Sequence, residues 1–132
     1  IRYREVSDRE AILSKVQKIC ETTTVSDTSS SLQIKGEFFP LNPSEQSAEL
    51  FSLYRDVAAE NDTVVEGEHS GGCADSGFIA AVGTPVICGV GPVGGNYHRP
   101  DEWMQIESLA ERAGFIAQTI LKLARQPTKS GL

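Results

Sequence analysis

The chain has 132 residues, of which 39% are hydrophobic and 23% charged, with 12 Lys and Arg against 18 Asp and Glu for a formal net charge of −6. This composition fits one modest globular domain or pieces of two, and it excludes disorder or a collagen-like repeat as a description of the whole chain. An acidic balance without a Lys/Arg cluster excludes a phosphate-tracking surface, so no nucleic-acid partner is expected. The longest uncharged stretch, 76–97, is interrupted by six glycines and two prolines, so no membrane span is expected either.

In chain order, Ile1 and Tyr3 alternate with Arg2 and Arg4, which predicts a strand over 1–6. A start in mid-strand without an initiator Met predicts a piece of something longer. Ser7-x-x-Glu10 has the form of a capping box, and Ile12, Leu13, Val16, Ile19 and Cys20 follow at helical spacing, which predicts a helix over 7–21. The Thr/Ser/Asp-rich stretch from Thr22 to Ser31 reads as a loop, and the alternation of Leu32, Ile34 and Phe38 with Gln33, Lys35 and Glu37 predicts a second strand over 31–38. Pro40, Asn42 and Pro43 break regular structure and mark a domain boundary.

Asn42 as N-cap then opens a helix whose apolar stripe is Ala48, Leu50, Phe51, Tyr54, Val57 and Ala58, closing near Asn61. A short strand at Thr63–Glu66, a glycine-rich turn, a short helix from Asp75 to Gly83 and an apolar strand at Pro85–Val90 are expected next. A loop over 91–101 leads to a second capping box, Ser108-x-x-Glu111, and to a helix with Leu109, Ala113, Ile116, Ala117, Ile120, Leu121 and Ala124 on one face. Residues 127–132 are expected to be a disordered tail. The order predicts a small β-α-β piece over 1–42 attached to an α/β layer over 43–126.

Several constellations could carry chemistry. Gly89-Val-Gly91-Pro-Val-Gly94 matches half of a dinucleotide fingerprint, but Pro92, Gly95 and Pro100 postpone the helix that should open on those glycines. His98 lies just beyond the end of a predicted buried strand, where α/β folds place ligands. A catalytic zinc needs about three protein ligands. The other available donors, Glu66, Glu68, His69, Cys73 and Asp75, repeat no known zinc spacing. Gly71-Gly72-Cys73-Ala74-Asp75 is either a strand-to-helix turn with Asp75 as N-cap or an open loop meeting a substrate oxygen. Cys73 as a nucleophile has His69 as its one nearby base and no orienting acid. Arg2 and Arg4 share a strand face, either as solvated edge charges or as a fork for a carboxylate. Three irregularly spaced cysteines, Cys20, Cys73 and Cys88, read as reduced thiols in the cytoplasm.

The segment Ser70-Gly-Gly-Cys-Ala-Asp-Ser-Gly-Phe-Ile-Ala-Ala-Val-Gly-Thr-Pro-Val, followed by Gly89-Val-Gly-Pro-Val-Gly-Gly-Asn-Tyr-His98 and Pro100-Asp-Glu-Trp103, resembles the zinc metallopeptidase and amidohydrolase family of glutamate carboxypeptidase, acetylornithine deacetylase and succinyl-diaminopimelate desuccinylase. The resemblance implies an α/β fold. Residues 1–42 would be the β-α-β half of a ferredoxin-like lid or dimerisation domain, and 43–126 the C-terminal α-β-α-β-α part of the catalytic domain. It implies that His98 is a metal ligand, that Arg2 binds the substrate carboxylate, and that Gly71, Gly72, Asp75, Gly94 and Gly95 border the substrate pocket. The family's other ligands and its catalytic base would lie upstream, so no catalytic base is expected among these residues. Two zinc ions would serve the full-length enzyme and the isolated chain would bind zinc poorly and be inactive.

The activity so implied is hydrolysis of an amide or peptide bond beside a carboxylate-bearing amino acid by a metal-activated water, in a cytoplasmic homodimer paired through the lid. The alternatives are a non-catalytic dimerisation module and a deacetylase or desuccinylase of the same family.

Overall fold

Four α-helices form where helical spacing of apolar residues places them: α1 (Arg9–Glu21), α2 (Glu45–Glu60), α3 (Ser76–Ala81) and α4 (Ile106–Arg125). The computed structural model describes residues 1–126, so the expected tail at 127–132 lies outside the described residues. Among these residues the sheet content is one antiparallel pair, β1 (Gly94–Gly95) with β2 (Trp103–Met104), and the chain is a mixed helix and small-sheet α/β chain.

The strands expected at 1–6, 31–38, 63–66 and 85–90 are not formed. Alternation states which side chains a strand would bury, whereas a strand also needs a neighbour to take its backbone hydrogen bonds. None of these segments has one among the described residues.

Three cap assignments also change, two of them because the side chain has another partner. Ser7 lies inside a 3-10 turn (Val6–Asp8) that precedes α1, and Asp8 occupies the cap position without a side-chain bond. Asn42 donates to the carbonyl of Arg4 at 3.1 Å and to the carboxylate of Glu5. Ser44 caps α2 instead, its Oγ accepting from the Ser47 N–H at 3.1 Å. The box at the start of α4 is used for tertiary contacts. Ser108 Oγ accepts from the Val93 N–H at 2.8 Å and donates to the Gln105 carbonyl at 2.6 Å, while Glu111 accepts from the Thr63 hydroxyl at 2.8 Å. The helix starts at Ile106 with Gln105 at the cap position, three residues earlier than the box predicts.

The chain divides into two units, Ile1–Pro43 with Ser70–Thr84, and Ser44–His69 with Pro85–Leu132. In the first unit α1 buries no residue fully. Tyr3, Arg9 and Glu37 form a polar knot, in which Glu37 accepts from Tyr3 at 2.9 Å and from Arg9 Nε at 2.5 Å, and Arg9 also pairs with Glu10. Elsewhere in this unit Phe38 and Phe39 pack against Phe78 of α3 with ring centroids 5.6 Å apart, the Phe39 pair edge-on.

The Arg9 guanidinium, and then the Tyr3 hydroxyl, hold the Glu37 carboxyl below the usual carboxylate range. A carboxyl whose pKa is lowered on folding contributes stability that is full above its unfolded pKa and is lost as pH falls through the folded value. Acid titration of the urea midpoint is therefore expected to show a decline below about pH 4.3, the ordinary glutamate value. Glu37→Gln is expected to flatten that decline.

In the second unit α2 and α4 pack through Tyr54, Val57 and Ala58 on one side and Phe115 on the other, with Val65, Ile87 and Val90 against them. The Tyr54 and Phe115 rings meet edge-on at 6.2 Å, and the Arg112 guanidinium lies 5.6 Å over Phe115. Lys122 closes the end of the pair on the Glu60 carboxylate at 2.5 Å. The face of α4 turned to this core carries Ser108, Phe115 and Thr119, all buried. The apolar stripe expected to be its core face is exposed: Leu109 is 50% exposed, Ile120 58% and Leu121 56%.

Candidate functional site

The expected site residues fall into two sets, one in each unit. Gly94, Gly95 and His98 lie on the β1–β2 hairpin, where Gly94 pairs with Met104 and Gly95 with Trp103. The pairing is extended by the Gln105 N–H, which donates to the Val93 carbonyl at 2.9 Å.

Both glycines are fixed by contact. A Cβ on Gly94 would stand 2.6 Å from the Trp103 carbonyl oxygen, and one on Gly95 would stand 2.9 Å from Nε1 of the Trp103 indole. The first obstacle is backbone and the second a side chain, so the two substitutions have different remedies. Gly94→Ala and Gly95→Ala are each expected to open the hairpin, seen as loss of amide protection at Gln105. Adding Trp103→Ala is expected to restore the Gly95 variant and not the Gly94 variant.

The loop between the strands is tied at several points. Asn96, left-handed at φ 58°, donates to the Asp101 carboxylate at 3.0 Å, and Arg99 pairs with the same carboxylate at 2.8 Å. The Tyr97 hydroxyl donates to the Gly94 carbonyl at 3.2 Å. Two backbone turns, Arg99 N–H to Asn96 and Glu102 N–H to Arg99, each 3.1 Å, complete it. His98 is exposed at φ 64°, its N–H donating to a Glu102 carboxylate oxygen at 3.2 Å. Its imidazole makes no hydrogen bond among the described residues. The roles of Asn96, Asp101, Glu102 and Trp103 are not evident from residue type alone. A Gly-Gly pair followed by an aromatic eight positions later is the available signal, since glycine opposite an aromatic is a favoured cross-strand arrangement.

In the other unit, Arg2, Gly71, Gly72 and Asp75 are all exposed. The structure brings Arg2 to the Gly71 turn, where its guanidinium stands 2.9 Å from the place a Gly71 Cβ would take. The Gly72 N–H donates to Ser70 Oγ at 3.1 Å. Asp75 occupies the cap position of α3, but its carboxylate makes no cap bond.

An exposed imidazole with no other bond is a competent zinc donor. His98 thus fits one position of a zinc site. Among the described residues no three His, Cys, Asp or Glu side chains come together as a metal-binding group, so a full coordination sphere is not formed by them. All three cysteines are free thiols.

A family model, that of peptidase family M20/M25/M40, matches residues 10–122 and so covers most of the chain, both glycine-bearing segments included. The chain belongs to this family. Its metallopeptidase character assigns the chain to a family of hydrolases that generally bind zinc. Neither the curated proteins nor the solved structures compared with the chain gave a match. No helix among the described residues is long and apolar enough to cross a membrane. Within the M20/M25/M40 match, the hairpin loop combines a free imidazole with a framework made from its own neighbours.

Proposed function

We propose that this chain is the C-terminal part of a cytoplasmic zinc-dependent hydrolase that cleaves an amide or peptide bond beside a carboxylate-bearing amino acid. The observation that carries the reading is the free imidazole of His98, held out from a hairpin loop whose other polar side chains bond to one another or to the hairpin's own backbone. When bound, zinc supplies Lewis-acid activation of a water for attack on the amide carbon. His98 contributes one nitrogen donor, and ligands on a longer chain contribute the others together with the general base. The Arg2 guanidinium, set at the Gly71 turn, receives the substrate carboxylate, and its planar fork suits a bidentate grip. By the family resemblance, Gly71, Gly72 and Asp75 in one unit and Gly94 and Gly95 in the other are assigned to substrate binding. Residues 1–42 form part of a lid through which two copies pair.

Metal content tests this reading. A form extended upstream is expected to hold about two zinc ions and the 132-residue chain alone to bind zinc poorly and be inactive, since about three protein ligands make a catalytic site. His98→Ala in the extended form is expected to remove one zinc and abolish hydrolysis. Full zinc content in that variant would overturn the assignment of His98.

A further inference from the structure

We propose that Glu102 is a positioning residue for His98, its carboxylate holding the left-handed backbone that sets the direction in which the imidazole leaves the hairpin. The inference rests on the reading of His98 as a metal donor. A histidine at φ 64° adopts a conformation that side-chain-bearing residues disfavour, because Cβ crowds the following carbonyl. Something must favour it over the right-handed alternative. The loop offers one side chain that does so directly: Glu102, whose carboxylate oxygen accepts from the His98 N–H at 3.2 Å. A bond from an amide to a carboxylate is among the stronger kinds a loop can make.

The other polar side chains of the loop bond elsewhere. Asn96 and Arg99 bond to Asp101, and Tyr97 bonds to the Gly94 carbonyl. Glu102 is itself well anchored, since its N–H donates to the Arg99 carbonyl and the next residue begins β2. Rotation about the N–Cα bond of His98 swings its Cβ and ring relative to the hairpin. A lost Glu102 carboxylate therefore changes where the ring is presented while the strand pairing behind it persists. Metal ligands depend on such supporting bonds for orientation.

The test is NMR of the full 132-residue chain, comparing wild type with Glu102→Ala, Glu102→Gln and, as a control on α4, Glu107→Ala. Amide exchange and the N–H to Hα coupling are read at residue 98, with Gln105 amide exchange as the monitor of the hairpin. In Glu102→Ala, exchange at His98 is expected to rise roughly tenfold, the equivalent of about 1.4 kcal/mol for one lost bond. The coupling should leave its left-handed value while Gln105 stays protected. Glu102→Gln, which keeps an accepting oxygen, is expected to restore most of both, and Glu107→Ala to change neither.

An unchanged coupling and exchange at His98 in Glu102→Ala would overturn the proposal. So would a parallel loss of protection at Gln105, which would mean that Glu102 supports the hairpin as a whole. Full zinc content in the extended form carrying His98→Ala overturns the metal reading and leaves the NMR result intact, so the two failures are distinguishable.

Discussion

Phe115→Ala is expected to cost the second unit about 3–5 kcal/mol, the usual range for removing a buried aromatic side chain. The ring is 2% exposed and is the contribution of α4 to the apolar core, seated between Tyr54 and the Arg112 guanidinium. Its loss leaves Tyr54 without its edge-on partner and Arg112 without the ring face beneath it. Ile120→Ala on the same helix is expected to change stability by only about 0.5 kcal/mol, as surface substitutions do, because Ile120 is 58% exposed. Urea unfolding followed by the far-ultraviolet helix signal measures both. Equal losses for the two variants would mean that the apolar stripe of α4 packs in solution as firmly as its Phe115 face.

Gly77→Ala is expected to destabilise the first unit by about 3 kcal/mol, the upper part of the range for forced overpacking. A Cβ there would lie 2.0 Å from the Phe39 carbonyl oxygen and 2.9 Å from the Phe39 carbonyl carbon. Both atoms are backbone, so no rotamer change relieves the clash, and α3 must withdraw from the 38–39 segment with loss of the Phe78 ring contacts. Gly114→Ala is the informative contrast. That glycine sits in α4 with open space around its Cβ position, so the substitution is expected to stabilise by about 0.5–1 kcal/mol through helix propensity alone. Amide exchange across 76–81 and 106–125 separates the two effects.

The difference between these helices explains what could be read in advance. The apolar spacing locates the helices, though not their caps, because a helix makes its hydrogen bonds within its own segment. The failed strands have the opposite property. Ile34 and Phe38 alternate as well as any strand requires, yet the alternation holds no information about a neighbouring strand. The caps show a third case. Ser108 and Glu111 satisfy the local rule, but the Val93 N–H and the Thr63 hydroxyl compete for them and win.

The candidate site divides in the same way. His98 and the two glycine segments stand out by residue type and by the family resemblance, and the match to peptidase family M20/M25/M40 supports that resemblance at the level of this broader family. Glu102 was not visible as a support for His98. Its four-residue separation becomes meaningful only once the 96–102 loop is folded between β1 and β2. Trp103 ends the Pro100-Asp-Glu-Trp103 segment that carries the resemblance, and the cross-strand pairing is what places its indole against Gly95.

By itself the sequence determined the helices, the acidic composition, the glycine-rich segments and the broad M20/M25/M40 relationship, all of which rest on local spacing or on residue identity. Only the tertiary structure decided which face of α4 is buried, which glycines are held by a neighbour's backbone, and that the His98 backbone is held by a carboxylate. Those outcomes depend on contacts between residues distant along the chain or brought round by a turn. Where two faces of one helix are both able to pack, the partner that arrives, here Tyr54 and Val57 of α2, makes the choice.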